Sequence, residues 1–551
     1  MDDDERAPLL QTPVNQAAGE SLRSNRSACS STSEALSSQS VRKPFHYPVG
    51  EQGRVLSDPD LNAAATYSRY RYYNKLVHPA TQLLAIPDHV VPAYFLVPFF
   101  NTEAGGEQSS LVTIFAIWNT MMGTSLLSMP WAISQAGFAT GTLLILAIGG
   151  LCLYTAFRVL DSTRLAGPPG GGPVEFSDVC RHLLGPWGER LAMAFSLLPL
   201  LGASVVFWVL MATFLSGTAL FLHGHIAGTV GDENGEGLIC RHVFNGTLGV
   251  ELSPSSVLES KYTMPLALVV LLFPVINLKS PSFFYKFNAL GTVSVFYLLI
   301  YILINAFTWG INVDFLDETS TSYVPLFRTT FPALTGVLCL SFFIHNCVIS
   351  MMRNQKNPEH NARDLSVAFG LVITTYLLIA VPFYISFPLA KHCIEDNLLN
   401  NFSNHNVMAF VTRIFLLVQY TTLFPMITYL LRVQFMHWST ASSTQGRHRV
   451  QHCLLLSTPR CRLKQVMALN AVVVVMCVLF AIFLPQIGTI LRFCGALSGL
   501  VYIFTLPCII YMVAMRGKLT ACSMVFHSFI ILLGLANFAS QFLLQYLESL
   551  A

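Results

Sequence analysis

Charged side chains are scarce in this sequence: only 11% of its 551 residues are Asp, Glu, Lys or Arg, whereas 53% are hydrophobic. A soluble chain of this length carries about a quarter charged residues, because its surface must stay in contact with water. The composition therefore excludes an ordinary soluble enzyme and a disordered scaffold. It indicates a polytopic membrane protein.

Three further features that are scarce or absent exclude other classes of protein. The 13 cysteines are too few for a disulfide framework. The net charge of +3 is small and no nucleic-acid-reading motif occurs, so we expect no nucleic-acid partner. The polar loops contain no nucleophile–base–acid set and no metal-ligand spacing, so we do not expect an enzyme.

We expect neither a signal peptide nor a membrane span in the amino-terminal residues. The chain opens with Met-Asp-Asp-Asp-Glu and is rich in Ser over 20–40, which predicts a disordered tail over 1–66. Residues 67–109 mix tyrosines, prolines and apolar side chains, as in a segment that folds against another surface. Within the tail, an acidic dileucine sorting signal is indicated, although so short a pattern also arises by chance. Its residues are Glu5, Leu9 and Leu10.

Apolar runs of about 20 residues predict transmembrane helices. Eleven such runs follow residue 109, so we predict an all-α polytopic membrane protein with eleven transmembrane helices. The runs are 110–131, 138–160, 191–222, 263–278, 286–311, 333–352, 366–388, 408–431, 466–484, 489–513 and 521–546. No Asp or Glu lies within any of them.

Lys and Arg are concentrated in alternate connections between the predicted helices. With the tail in the cytosol, fifteen of them lie in connections on its side, two more (Arg158 and Lys286) lie at the adjoining ends of the runs, and four lie in the opposite loops. Positive residues favour the cytosolic side, so we predict a cytosolic amino terminus and a lumenal carboxyl terminus.

The predicted lumenal loops carry two kinds of independent signal. Asn245 and Asn401 begin N-glycosylation sequons, which require lumenal exposure. Cys240 and Cys393 are the only cysteines predicted outside the cytosol and the bilayer, which predicts a disulfide in an oxidising lumen. The protein is thus expected to be a disulfide-bonded glycoprotein.

Eleven spans suit two inverted five-helix repeats and one additional helix. The repeats would cover 110–311 and 333–513, followed by 521–546. In such folds the first helix of each repeat breaks at the midplane, and its freed backbone groups bind substrate and ions. Span 1 fits, because Gly123 lies between hydroxyl residues ahead of Pro130. The alternative is that these small residues only allow helices to pack closely.

Three segments carry a family resemblance: WNTMMGTSLLSMPW (118–131), NLKSPSFFYKFNALGTVS (277–294) and FFIHNC (342–347). They closely resemble the sodium-coupled neutral amino acid transporter family of the amino acid/auxin permease superfamily, in particular its lysosomal, arginine-gated branch. The resemblance runs from about Tyr67 to the end. It implies a LeuT-like fold and residence in the lysosome and late endosome membrane. It also implies arginine-regulated export of leucine, glutamine and arginine, with mTORC1 signalling through Rag GTPases and Ragulator. The alternative is a receptor-like sensor with negligible net flux.

The resemblance also implies site residues. Asn119 and Thr124 match the family's Na⁺ site, which Thr421 and Thr422 of span 8 would complete; neutral oxygens suit Na⁺ without a buried carboxylate. The alternative is that these threonines bond the carbonyls of their own helix. His345 could titrate, but a lone membrane histidine is more often a packed hydrogen-bonding group. The expected substrate-binding residues are Thr120, Met121, Met122, Gly123 and Thr124.

The segment 67–109 resembles the family's partner-binding and plug segment, which binds Rag–Ragulator and enters the cytosolic vestibule when substrate is absent. In span 8, Leu423, Tyr429 and Arg432 fit a proposed cholesterol-contact pattern, or form an interfacial anchor. The basic loop 433–465 has no counterpart in the family pattern. The expected partner-binding residues are Tyr70, Tyr73, Leu76, Pro87 and Pro92.

Overall fold

Helices account for nearly all of the residues that the computed structural model describes, which are 109–165, 175–226, 237–240, 262–277, 289–353, 355–441 and 459–550. These residues contain no strand, only two isolated bridges. In chain order the helices are α1 (Ser110–Met121), α2 (Ser125–Ala136), α3 (Phe138–Leu165), α4 (Phe176–Ile226), α5 (Thr263–Ile276), α6 (Ala289–Trp309), α7 (Pro332–Ser341), α8 (Val348–Arg353), α9 (Asn361–Ser386), α10 (Val407–Ala441), α11 (Pro459–Phe483), α12 (Ile487–Ala514) and α13 (Ala521–Leu550).

The described helices make this a multi-pass membrane protein. Eight of them are long and apolar enough to cross a membrane, or nine if the bent pair α1 and α2 counts as one span. Each of the eleven predicted runs overlaps a helix, but α5 and α7 have only 14 and 10 residues. At 1.5 Å per residue, α5 rises about 21 Å, less than the roughly 30 Å hydrocarbon core. The number eleven and the inverted repeat therefore stay predictions.

Several helix boundaries differ from the sequence prediction. Helix α4 begins at Phe176, well before the predicted start at 191, because its first part is amphipathic and escapes a hydropathy window. Gly185 interrupts it with φ of 76°, a conformation that favours glycine, and Pro186 then restarts the helix. The predicted loop 433–465 is wrong at both ends, since α10 continues to Ala441 and α11 begins at Pro459.

Glycines bring α7 and α12 into direct backbone contact. A Cβ atom built on Gly495 would lie 2.1 Å from the carbonyl oxygen of Gly336, and one on Gly336 would lie 2.7 Å from that of Arg492. Small residues allow this approach between membrane helices, where packing rather than the hydrophobic effect drives association. Helix α7, which precedes one of the breaks described below, is thereby fixed against α12.

Residues 387–406, which connect α9 to α10, form a folded segment that we call the cap. The Cys240–Cys393 disulfide ties it to the described segment 237–240, and Ile239 N–H donates to the Asn401 carbonyl at 2.8 Å. At the other side of the cap, the Asp396 carboxylate accepts a hydrogen bond from Gly488 N–H at 2.9 Å. Gly488 is at the start of α12, so the cap is attached to that helix.

Candidate functional site

The helix that begins the membrane domain is interrupted at Met122–Thr124, where α1 and α2 meet at an angle of 61°. Gly123 N–H folds back onto the Met121 carbonyl at 2.8 Å. Among the described residues, the N–H groups of Thr124 and Ser125 make no hydrogen bond. They lie at the positive end of α2, where a carboxylate is favoured.

The five predicted substrate-binding residues form this interruption. Met121, Met122 and Thr124 are buried and Gly123 is half-buried. Thr120 is exposed, and its hydroxyl donates to the Ala116 carbonyl of its own helix at 2.8 Å. The break falls where the sequence predicts it. Its ligand-binding role stays a prediction.

A second interruption, Phe342–Cys347, separates α7 from α8. In the described part of the chain, the N–H groups of Ile344, His345 and Asn346 make no hydrogen bond. His345 is fully buried, with Nε2 at 2.9 Å from the Thr155 hydroxyl of α3, and its Nδ1 has no partner in the described structure. This geometry fits the alternative that His345 is a packed, hydrogen-bonding group.

One tyrosine contacts both interruptions. The hydroxyl of Tyr376, on α9, lies 2.7 Å from the carbonyl oxygen of Met121 and 3.0 Å from that of Ser341. The neighbouring Thr375 hydroxyl accepts a hydrogen bond from the Trp118 indole N–H at 3.1 Å. Tyr376 was not among the residues predicted from the sequence. The available signal was a phenol within an apolar run, which needs an acceptor when it is buried.

The predicted Na⁺ ligands are in two places. Asn119 is buried at the end of α1, and its side-chain oxygen has no hydrogen-bond partner among the described residues, which suits a cation ligand. Thr421 and Thr422 donate to the carbonyls of Leu417 and Gln419, both at 2.7 Å, as the alternative reading expects. These hydrogen bonds use only the hydroxyl hydrogens, so the lone pairs of both hydroxyl oxygens can still bind a cation. No hydrogen bond within the described structure joins either threonine to α1 or α2.

The predicted disulfide partners are bonded in the structure, with their Cα atoms 4.9 Å apart. A ring nitrogen of His392 lies within 4.8 Å of both sulfur atoms, a spacing that could hold a metal ion. Sulfur atoms joined in a disulfide, however, offer no thiolate to a metal. The structure argues against a glycan on Asn401. This side chain is completely buried, and its amide donates to the Cys393 carbonyl at 2.6 Å and accepts from Glu395 N–H at 3.0 Å.

The remaining predicted site residues divide into two groups. In the cholesterol pattern, the Arg432 guanidinium lies 5.0 Å from the centroid of the Tyr429 ring, a cation–π contact that fits the anchor alternative. The sorting residues, the partner-binding residues and one sequon lie outside the described residues. These are Glu5, Leu9, Leu10, Tyr70, Tyr73, Leu76, Pro87, Pro92 and Asn245.

The helices extend beyond the predicted runs and include acidic residues near their ends. Asp364 is fully buried in the first turn of α9, where its carboxylate accepts hydrogen bonds from Arg363 Nε at 3.0 Å and from Gln355. The predicted runs themselves contain no Asp or Glu, and Asp364 lies just before the run 366–388. Because Asp364 is paired there, it belongs to a structural cluster and not to either interruption.

The cap contains two ionisable groups with shifted pKa values. Burial raises the pKa of Asp396 to about 6, although hydrogen bonding from Gly488 N–H opposes the shift. Burial lowers the pKa of Lys391 to about 8, and its ammonium donates to the carbonyls of Tyr384 and Phe387, both at 2.8 Å. The sequence indicated neither shift, because both depend on how the cap folds.

An architecture of several membrane-spanning helices, the first of which is interrupted, is typical of membrane carriers. The family model for transmembrane amino acid transporter proteins matches residues 106–544, and the chain belongs to this family.

Individual relatives are similar over nearly their whole length. Neutral amino acid transporter 9 of Danio rerio is 41% identical over 541 residues, covering 91% of this chain and 95% of the relative. The Rattus norvegicus protein of the same name is 41% identical over 538 residues, covering 91% and 93%. A Caenorhabditis elegans protein named sodium-coupled neutral amino acid transporter 9 homolog is 36% identical over 592 residues, covering 99% and 94%.

Proposed function

We propose that this protein exports neutral amino acids, among them leucine and glutamine, together with arginine, from the lysosomal lumen to the cytosol. Export is regulated by arginine, coupled to Na⁺, and linked to mTORC1 through Rag GTPases and Ragulator. Membership of an amino acid transporter family supports the transport part. The names of the relatives support neutral substrates and sodium coupling.

The observation that carries the proposal is the interruption at Met122–Thr124. The N–H groups of Thr124 and Ser125, which make no hydrogen bond among the described residues, suit the α-carboxylate that every amino acid carries. Backbone carbonyls at the end of α1 suit the α-ammonium group. Since these contacts use only the backbone, they fit several amino acids and leave selection to the surrounding side chains.

Sodium would bind beside this site. The oxygens of Asn119 and Thr124 would hold it, with Thr421 and Thr422 contributing hydroxyl oxygens from α10. The side-chain oxygen of Asn119, which has no hydrogen-bond partner in the described part of the chain, supports this assignment, because a buried acceptor without a donor is costly. The bound ion would supply a positive charge close to the substrate carboxylate.

The architecture belongs to the proposal as well. Two five-helix repeats, 110–311 and 333–513, and a last helix, 521–546, would form a LeuT-like carrier with a cytosolic amino terminus. The two interruptions support this arrangement, because they fall near the beginnings of the two repeats. Glu5, Leu9 and Leu10 would direct the protein to lysosomes and late endosomes.

The segment 67–109 would report substrate occupancy. It would bind Rag–Ragulator through Tyr70, Tyr73 and Leu76, with Pro87 and Pro92 setting its shape. Without substrate it would plug the cytosolic vestibule, so that arginine frees it by linkage. The second candidate function, a receptor with negligible flux, shares this output and differs only in transport.

Radiolabelled leucine flux in proteoliposomes, with Na⁺ and pH varied separately, tests the transport function. We expect arginine-stimulated flux, and its absence despite arginine binding would favour the receptor. Thr124→Trp should abolish flux, because its ring would occupy the interruption. Thr374→Trp is the matched control, since Thr374 is exposed on α9. Equal flux from both variants would contradict the site.

Two experiments test the tail. Leu9→Ala combined with Leu10→Ala should move part of the protein to the cell surface, and unchanged lysosomal localisation would place the signal elsewhere. Tyr73→Ala should reduce Ragulator capture without affecting transport. Arginine should strengthen capture by the full chain but not by residues 1–109 alone. An equal arginine response from both would contradict the plug.

A further inference from the structure

The two interruptions meet at a single hydroxyl group. Tyr376 Oη lies 2.7 Å from the Met121 carbonyl oxygen and 3.0 Å from the Ser341 carbonyl oxygen. Met121 is the last residue of α1 and Ser341 is the last residue of α7. One side chain of α9 therefore connects the points at which both helices stop.

The chemistry of this contact is asymmetric. A phenol has one hydrogen, and carbonyl oxygens accept but do not donate. Tyr376 therefore donates to only one carbonyl at a time. The Met121 carbonyl also accepts Gly123 N–H at 2.8 Å, whereas no backbone N–H among the described residues reaches the Ser341 carbonyl. A buried carbonyl without a donor is unfavourable, so both oxygens compete for the same hydrogen.

The position of the hydroxyl is set by packing. Tyr376 is fully buried, and its ring lies edge-to-face with Phe342, with centroids 5.5 Å apart. Phe342 begins the second interruption. On the other side, the Thr375–Trp118 hydrogen bond fixes the same turn of α9 against α1. A hydroxyl held on both sides in this way is pre-organised.

We infer that Tyr376 is a positioning residue that holds the two interruptions in one fixed relation. Its hydrogen alternates between the carbonyls of Met121 and Ser341, and so keeps the Thr124 and Ser125 N–H groups aligned. The effect on substrate rests on the proposed function. The coupling of the two interruptions does not.

A matched control lies two turns further along the same helix. Tyr384 is also fully buried, but its hydroxyl has no hydrogen-bond partner in the described structure. Tyr376→Phe and Tyr384→Phe therefore delete the same atom from two buried rings of α9. Only the first deletion removes a contact with the interruptions.

The first measurement is leucine flux in proteoliposomes. Tyr376→Phe should raise the KM for leucine about tenfold, equivalent to about 1.4 kcal/mol, while the maximal rate per inserted protein stays within about twofold. Tyr384→Phe should change neither. A purely structural role would lower the amount of active protein and leave KM unchanged, so an unchanged KM for Tyr376→Phe would overturn the inference.

The second measurement is amide hydrogen exchange on the full-length protein in detergent, which needs no transport. Tyr376→Phe should accelerate exchange in peptides covering 122–125 and 342–347 together, with α13 unaffected. Acceleration in only one of these peptides, throughout the protein, or equally in Tyr384→Phe would overturn the inference. If the wild-type protein moves no leucine, the proposed function fails, and the exchange result still decides the coupling.

Discussion

Arg492 and Glu548 form a two-pronged ion pair that joins α12 to the end of α13. The guanidinium nitrogens lie 2.9 and 3.0 Å from the two carboxylate oxygens, and Gln545 accepts a further hydrogen bond at 2.6 Å. The Arg492 side chain is only 2% exposed, whereas that of Glu548 is 43% exposed. The guanidinium therefore relies on Glu548 to balance its charge inside the protein, whereas the carboxylate is partly hydrated.

Glu548→Gln should leave this buried guanidinium without its counter-charge. We expect the free energy of unfolding to fall by about 2 kcal/mol, less than for a fully buried pair because Glu548 is half-exposed. Thermal melting in detergent, followed by size-exclusion chromatography, measures the change. Asp161→Asn is the control, since it removes a pair 3.7 Å long whose arginine, Arg158, is 23% exposed. Equal melting temperatures for the two variants would show that the burial of Arg492 does not add to the stabilising effect of its ion pair.

The second prediction concerns the close contact between α7 and α12. Gly495→Ala would place a methyl group 2.1 Å from the Gly336 carbonyl oxygen, so the two helices must separate. We expect a loss of about 3 kcal/mol or more, visible as reduced yield and a lower melting temperature. Gly370→Ala on α9 has nothing within 4 Å of the added atom and should be tolerated. Tolerance of both substitutions would contradict the close packing.

The sequence predicted the membrane class and the first interruption because both are local properties. Apolar composition identifies membrane helices wherever they are long, and Gly123 weakens a helix on its own. Helix α4 was partly missed because its beginning, from Phe176, has one apolar face rather than a continuous apolar run. A hydropathy window averages over such a face.

The arrangement around the interruptions could not be predicted in this way. Tyr376 contacts Met121 across 255 residues of sequence, and nothing in the sequence near Tyr376 specifies which carbonyl it reaches. That the side-chain oxygen of Asn119 has no hydrogen-bond partner among the described residues is likewise a property of the assembled bundle. By contrast, the Cys240–Cys393 pair was predictable, because the topology predicted from the sequence put these two cysteines together on one side of the membrane.

This disulfide makes a third prediction. It links residues 153 positions apart, so it restricts a long loop of the unfolded chain. Cys240→Ser should lower the free energy of unfolding by about 2–4 kcal/mol. Reductant should destabilise the wild-type protein by a similar amount and leave Cys240→Ser unaffected. Cys522→Ser removes an exposed free thiol and should match the wild type. A reductant effect that persists in Cys240→Ser would contradict the assignment.

The cap makes a final prediction, which concerns pH. Burial raises the pKa of Asp396 from 3.8 to about 6, and the nearby charge of Glu395 contributes in the same direction. The folded protein therefore binds this proton more tightly than the unfolded chain. The resulting stability is fully present below pH 3.8, is lost as the pH rises through about 6, and is absent at neutral pH.

Asp396→Asn should remove this pH dependence while keeping an oxygen that can accept from Gly488 N–H. Between about pH 4 and pH 7, the melting temperature of the wild type should fall by about 3 °C more than that of the variant. Asp317→Asn is the control: hydrogen bonds from Thr319 lower the pKa of this exposed aspartate, so it titrates below the range. Its melting profile should follow the wild type. If Asp396→Asn keeps the wild-type slope, another group produces the pH dependence and the carboxylate of the cap is not its source.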